Sequence, residues 1–433
     1  MTSATQIKEA APVDAAHYQQ FLPRTGPPRV RALREAAMGR FTEIGFPATH
    51  MEDWRFLNIA PIARCGFVAP AQDGPEPSVG ELGRLRFGAM PGSLFVFVNG
   101  RFRNALSQIG SLPEGVLVLD LAEAVGTHEA LVRPHLGRYA GYENESFTAL
   151  NTAMIDGGLF VYVPRGTVVK DPIHVLNVTS PQPQPLLTNP RMLVVAGESC
   201  QVTVIEDYVA LNDGIYLTNA VTEFLVEENA TATHYRLERE SREAFNVSTL
   251  RVQQQRDSTF TSHAVLLGGA IVRNNVDPVL AGEGCDSLIN GVYLLRDAQV
   301  VANHMRLEHA DAHCSSRQFY KGIMSGRSRG MFRGRIIVRP GAQKTDAVQS
   351  NQNLLLSLDA SANSDPQLEI YADDVKCTHG STIGQLDADA LFYLRSRGIS
   401  EEAARALLIY AFAAESLERM KIEPIRALAA REL

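Results

Sequence analysis

Between residues 157 and 376 the chain runs through one short β-rich segment after another, and no 3.6-residue period interrupts them. The segments are Phe160–Val163, His174–Val178, Met192–Val195, Gln201–Ile205, Val221–Val226, Thr231–Leu237, Thr249–Gln253, Val265–Leu267, Val292–Leu295, Arg335–Val338 and Leu368–Tyr371. Bounded runs at fairly even spacing predict a sandwich, a barrel or a solenoid. The stretch is long for one sandwich, and few of its connections are two-residue hairpin turns, which favours the solenoid. In a solenoid each coil stacks on the next, so the core is continuous. No strict repeat period can be read from the residues. The expected fold is therefore mainly β, with flanks of different character.

Ahead of the β region, the first 20 residues are expected to be mobile. Pro27 and Pro28 then precede a helix in which Val30, Leu33, Ala37, Phe41 and Ile44 recur at helical spacing, ending near Gly45-Phe46-Pro47. Residues 69–82 are rich in Pro, Gly and acid and read as a linker. Leu94–Val98, Asn99-Gly100 and Arg101-Phe102 predict a hairpin, because Asn-Gly supplies the positive φ of a type I′ turn. At the other end Asp387 can cap a helix through Arg397, with Asp389 in its first turn and Gly398 past its end. Ser400 can cap a second, with Glu401 and Glu402 at its positive end. Ala404, Leu407, Leu408, Ala411, Phe412, Glu415 and Leu417 form an apolar stripe with one polar interruption, and Pro424 lies just beyond. A cap on the end of the solenoid and a docking surface for a partner both fit this stripe. The expected division is 1–140, helical and mixed α/β; 141–386, the β core; and 387–433, helical.

The formal net charge of −7 argues against nucleic-acid binding. No run reaches the roughly 18–20 apolar residues of a membrane span, and the start lacks the basic and apolar regions of a signal peptide, so a cytoplasmic protein is expected. Cysteines 65, 200, 285, 314 and 377 are scattered and odd in number, and no Cys-x-x-Cys occurs. That excludes a disulfide scaffold and a self-contained zinc-finger or ferredoxin site. Neither a phosphate-cradling P-loop nor a Gly-x-Gly-x-x-Gly follows a strand. If ATP drives this protein's work, another chain hydrolyses it.

The candidate chemistry centres on Cys377 and His379. They alternate with Lys376 and Thr378 in a strand-like segment, so both side chains point the same way, with Cα atoms about 6.5–7 Å apart. Thiolate and imidazole are ligands of zinc and of iron–sulfur centres, and an imidazolium nearby would lower the thiol pKa. Two residues filling a strand face explain the pattern as well. A second group, His304, His309, His313 and Cys314, has spacings that fit no single strand face and no zinc signature. Glu206-Asp207 and Asp373-Asp374 are acidic pairs of the kind a carbohydrate-active β-helix enzyme would hold at defined separation. Solvated turns are the plainer reading. Arg327, Arg329, Arg333 and Arg335 read as a solvated edge or as partners of local acids.

Several motifs together carry a family resemblance. Tyr371-Ala-Asp-Asp-Val-Lys-Cys-Thr-His-Gly-Ser-Thr-Ile-Gly-Gln-Leu-Asp387 and Leu391-Phe-Tyr-Leu-Arg-Ser-Arg-Gly398 are joined by Phe147–Ala153, Asp156–Pro164, Pro172–Val175, Arg191–Gly197, Tyr320-Lys-Gly322, Ala342–Asp346 and Gln349–Ser357. With these the chain resembles the SufB/SufD family of iron–sulfur cluster assembly scaffolds, on its SufD side, strongly over residues 145–420 and more loosely before. The resemblance implies a parallel, right-handed β-helix core. It implies a non-catalytic subunit that pairs with SufB and with the ATPase SufC, and leaves open a homodimer where SufB is absent. His379, and with it Cys377, would help hold a transient Fe–S cluster shared with a SufB thiolate. No cofactor bound tightly to the chain alone is implied. The helices after residue 387, with Leu391, Tyr393, Leu407, Leu408, Ala411 and Phe412, would dock SufC.

Overall fold

The computed structural model describes residues 13–23, 25–71, 76–86 and 90–433. They form a parallel β-solenoid of about eight turns with helices at both ends of the chain. The first sheet runs, in hydrogen-bonded order, Arg101–Phe102, Ser93–Val98, Ile173–Thr179, Gln201–Ala210, Thr231–Arg239, Thr259–Leu266, Asp286–Leu295, Ser315–Met324, Asp346–Leu355 and Lys376–Gln385. The facing sheet runs Leu117–Asp120, Leu159–Val163, Arg191–Ala196, Tyr216–Val226, Phe245–Gln254, Ile271–Leu280, Val300–His309, Arg329–Val338 and Ser361–Ile370. Pairing is parallel except in the two outermost pairs at the N-terminal end. Inward side chains of both sheets, Val202, Val204, Phe224, Phe260, Ile289 and Phe332 among them, build one core along the axis.

One turn repeats along the first sheet. Ser199, Asn229, Asp257, Gly284, His313 and Lys344 all adopt positive φ, at intervals of 30, 28, 27, 29 and 31 residues. The backbone ladder continues through these turns: Ser199 N–H donates to Glu228 O at 2.9 Å, Asp257 N–H to Glu283 O at 2.8 Å and His313 N–H to Gln343 O at 2.9 Å. The residue that follows is small and buried in every coil: Cys200, Ala230, Ser258, Cys285, Cys314 and Thr345. That position faces inward at a tight corner, where a larger side chain would collide with its neighbour on the next coil.

The flanks differ in part from expectation. The helix Pro28–Ile44 forms and stops at Gly45, which takes φ +61°. The Asn99-Gly100 hairpin forms, both residues at positive φ. Its first strand also pairs with Ile173–Thr179 and so extends the first sheet of the solenoid. The expected linker over 69–82 contains a helix, Val79–Leu85, started by a reciprocal Ser78–Glu81 capping box; residues 72–75 of it lie outside the described residues. Of the expected mobile start, 1–12 lie outside them too, and Ala15–Gln19 is helical.

At the C-terminus three helices follow, Ala388–Ser396, Glu401–Glu418 and Glu423–Glu432, the first two capped by Asp387 and Ser400 as expected. Pro424 opens the third helix. A cap on the solenoid end is not what forms. Ile409, Ala413, Leu417, Met420, Ile425 and Leu428 pack on the outer face of the first sheet, against Tyr235, Val265, Val292, Ile323 and Leu354. Asn290 Nδ2 donates to Ser416 O at 2.9 Å and Lys321 Nζ meets Glu415 at 2.9 Å, fixing the second helix along the flank. The last coil is left uncovered.

Candidate functional site

Lys376–Gln385 ends the first sheet. Among the described residues it pairs only with Asp346–Leu355, in the register Ala347↔Cys377, Gln349↔His379 and Asn353↔Ile383. Ala347, Gln349 and Asn353 are buried. Cys377, His379 and Ile383 therefore continue an inward column, but no coil covers them, and every residue of the strand except Cys377 is exposed. An inward position at an open end lets an imidazole be oriented by the sheet and still reach another molecule. Cys377 is half-buried against Ile336, Ala347 and Ala372. Burial raises its thiol, and the Asp346 carboxylate adds to that, so the thiol is not lowered as the adjacent imidazole suggested.

The docking residues split. Leu407, Ala411 and Tyr393 are exposed, Leu391, Leu408 and Phe412 half-buried, and Lys321 Nζ bonds the Phe412 carbonyl at 2.9 Å. The helix Ala388–Ser396 buries no residue at all. Phe392, 73% exposed, and Tyr410, 44% exposed, extend the apolar surface. Neither is among the expected docking residues; the buried face of the second helix runs through Ala404, Ile409, Ala413 and Leu417, and the expected stripe mixes two of these with exposed positions.

The remaining candidates do not assemble. His304 lies on the outer face, 3.3 Å from Asp53; His309 bonds Ser316 at 2.9 Å inside; His313 is an exposed turn residue. Among the described residues no group of three or more His, Cys, Asp or Glu could hold a metal ion. Glu206 and Asp207 point to opposite faces. Glu206 is inward with Tyr208 at 2.6 Å and Thr222 at 2.5 Å, and Asp207 outward with Arg239 at 2.7 Å. Burial works to raise both carboxyls, but His234, Thr222 and Tyr208 on one, and Arg239 and His174 on the other, outweigh it. They cannot serve one substrate as acid and base. Asp373 and Asp374 are exposed turn residues, and Asp374 pairs with Lys344. Arg333 pairs with Glu52, Asp53 and Asp365, and Arg335 with Glu52 and Glu369.

A buried polar network inside the solenoid was not foreseen. Glu240 accepts from Asn246 Nδ2 and Thr218 Oγ1, each at 2.6 Å, and Glu238 accepts from the amides of Glu240 and Gly268. Burial, with the facing Glu238 carboxylate, pushes Glu240 up to about 8. The folded chain thus keeps a proton that the unfolded chain releases above its ordinary 4.5, so stability falls as pH rises from 4.5 to about 8. The slope is at most about 1.4 kcal/mol per pH unit. His263 and His309, held near 4 by burial, act with the opposite sign below their ordinary 6.5. Above about 7, Cys285, drawn down to about 7, also acts with the opposite sign, so the profile reads Glu240 between about 6.5 and 7. Glu240→Gln flattens the stability profile there in urea titrations; an unchanged slope would show that Glu240 is ionised in the folded state.

Two family profiles match the chain: the SufBD protein N-terminal region over residues 16–175, and the SufBD core domain of the SUF FeS cluster assembly system over residues 178–412. An iron–sulfur cluster assembly SufBD family protein of Synechocystis is 33% identical over 404 residues, covering 91% of this chain and 88% of that one. The iron–sulfur cluster assembly protein SufD of Escherichia coli is 32% identical over 388 residues, covering 88% and 87%. SufD of Bacillus subtilis is 28% identical, covering 72% of each. The chain therefore belongs to the SufB/SufD family of iron–sulfur cluster assembly proteins and is a homologue of SufD.

Proposed function

We propose that this chain is the SufD-type scaffold of a complex with SufB and the ATPase SufC, and that it presents His379 to a nascent cluster at its junction with SufB. The supporting observation is the uncovered last coil: an edge strand, and beside it an inward-facing imidazole open to another molecule. An edge strand is a template for adding the strands of another chain. Imidazole replaces thiolate on iron in Rieske-type centres, so His379 can complete a ligand set whose thiolate comes from SufB. A site divided between chains releases its cargo when the chains part. Without a P-loop, the chain would rely on SufC for ATP hydrolysis and act as a scaffold, not an enzyme. No helix among the described residues is long and apolar enough to cross a membrane, and a cytoplasmic complex is the reading adopted.

SufC would dock on the exposed surface of the first two C-terminal helices, where Phe392, Tyr393, Leu407 and Tyr410 stand free. Exposed apolar side chains that cluster on uncovered helices are what a partner's groove accepts. From a co-expressed complex, Phe392→Asp and Leu407→Asp release SufC while SufB stays bound, with a loss of about 2 kcal/mol or more in SufC affinity. Because both positions are exposed, the chain's own stability changes by no more than about 0.5 kcal/mol. Retention of SufC by both folded variants would remove the docking assignment. Failure of the unmodified chain to co-purify with SufB and SufC would remove the scaffold reading.

A further inference from the structure

We propose that Cys285 and Cys314 are a redox pair: a hydroperoxide converts the two stacked thiols into a disulfide that joins neighbouring coils of the solenoid. They occupy consecutive rungs of the small-residue column behind the repeating turn. The residues that follow them, Asp286 and Ser315, are register partners, and Ser315 N–H donates to Cys285 O at 2.8 Å. Neighbouring strands lie about 4.8 Å apart, inside the roughly 4.4–6.8 Å Cα separation that a disulfide spans. Both sulfurs converge on one acceptor: Cys285 Sγ lies 3.1 Å and Cys314 Sγ 3.2 Å from the Gly282 carbonyl oxygen. Cys200 shares the column but is separated from the pair by Ala230 and Ser258, so it cannot take part.

The two thiols are not equivalent. The Cys314 thiol hydrogen-bonds Cys285, and with Ser258, whose Oγ is 3.7 Å away, and the local backbone it pulls Cys285 down to about 7 against the effect of burial. Cys314, beside that developing thiolate and buried, is pushed far up. Cys285 is thus the nucleophile and Cys314 the resolving thiol. The Cys285 thiolate attacks the outer oxygen of the hydroperoxide. The O–O bond breaks, water or an alcohol leaves after taking up a proton, and a sulfenic acid remains. Cys314 sulfur then attacks Cys285 sulfur; the S–S bond forms and the hydroxyl departs with the Cys314 proton as water. Two thiols lose two electrons and the peroxide gains them. Both residues are buried, but exposed Asp286 and His313 flank them, so only the turn separates the sulfurs from solvent.

The test is peroxide titration of the purified full-length chain, alkylation of remaining thiols, and peptide mapping before and after reduction. The expected product has lost the mass of two hydrogens, contains a cross-linked peptide joining Cys285 to Cys314, and has lost alkylation at both together. Reduction restores both. Cys285→Ser and Cys314→Ser each abolish the cross-link, and Cys377→Ser leaves it. Oxidation confined to Cys377, or a wild-type map showing Cys285 and Cys314 still alkylated, overturns the proposal. The wild-type map decides the matter even if a serine variant fails to fold.

Discussion

Replacing His379 with alanine strips iron and sulfide from the co-purified complex while the subunits stay together and the chain stays folded. The expectation follows from where the side chain sits. His379 faces inward by register but is exposed, because among the described residues no coil covers it. Its removal leaves no cavity and no orphaned partner, so stability changes by no more than about 0.5 kcal/mol. On the function proposed above, what is lost is a ligand. Anaerobic purification of wild type and variant with SufB and SufC, followed by iron and acid-labile sulfide analysis, checks it. A variant complex with wild-type iron and sulfide overturns the site. Cys377→Ala is the internal comparison. Its thiol is half-buried and raised by that burial, which makes it a poor thiolate donor, and this variant is expected to keep its cluster.

The legible part of this fold was the part where burial is apolar. All eleven strand-like runs fall on observed strands, most of them extended at one or both ends. Besides the short Leu117–Asp120 and Leu186–Thr188, four ten-residue strands, Ile271–Leu280, Val300–His309, Ser315–Met324 and Asp346–Leu355, went unread. Among their inward positions, polar side chains pair across coils and interrupt the apolar ones: Asn274 on Asn303 at 3.1 Å, Gln349 on Gln318 at 2.8 Å, and Tyr293 on Asn353 at 2.6 Å. Such ladders satisfy buried amides well, but in the sequence they look like loop. The repeat was hidden for a related reason. Its one shared demand is a positive φ, met by Ser, Asn, Asp, Gly, His and Lys at uneven intervals, so no residue type marks it. At the site, strand alternation put Cys377 and His379 on one face correctly. That this face opens at the end of the column depends on where the C-terminal helices pack, and a stripe that mixes buried and exposed positions could not show it.

Glu223→Ala is expected to cost about 3–5 kcal/mol, far more than any change at the open end, because it strands a buried guanidinium. Arg191 and Glu223 are ion-paired with both side chains fully buried. Glu223 also accepts the amides of Gly137 at 2.9 Å, Tyr139 at 2.9 Å and Ala140 at 3.0 Å, and Arg191 donates to Asn151 at 3.0 Å and Thr152 at 3.1 Å. Asn151 and Asn219 complete the clamp through the carbonyls of Pro190, Asn219 and Phe147. Together these bonds fasten residues 137–140 and the buried helix Ser146–Ala153 to the outer face of the second sheet. Urea unfolding gives the loss, and hydrogen exchange locates it, with protection vanishing first at Gly137, Tyr139 and Ala140. Arg191→Met combined with Glu223→Met recovers part of the stability, since no unpaired charge remains; single variants costing under about 1 kcal/mol would show that solvent reaches the pair. Asn151, Thr152 and Arg191 lie in two of the motifs that carry the resemblance, yet they hold the N-terminal segment to the solenoid and take no part in the site. The motif around His379 forms the open edge strand, with Gln349–Ser357 on the strand beside it, so sharing the Asn151, Thr152 and Arg191 motifs speaks to a shared architecture.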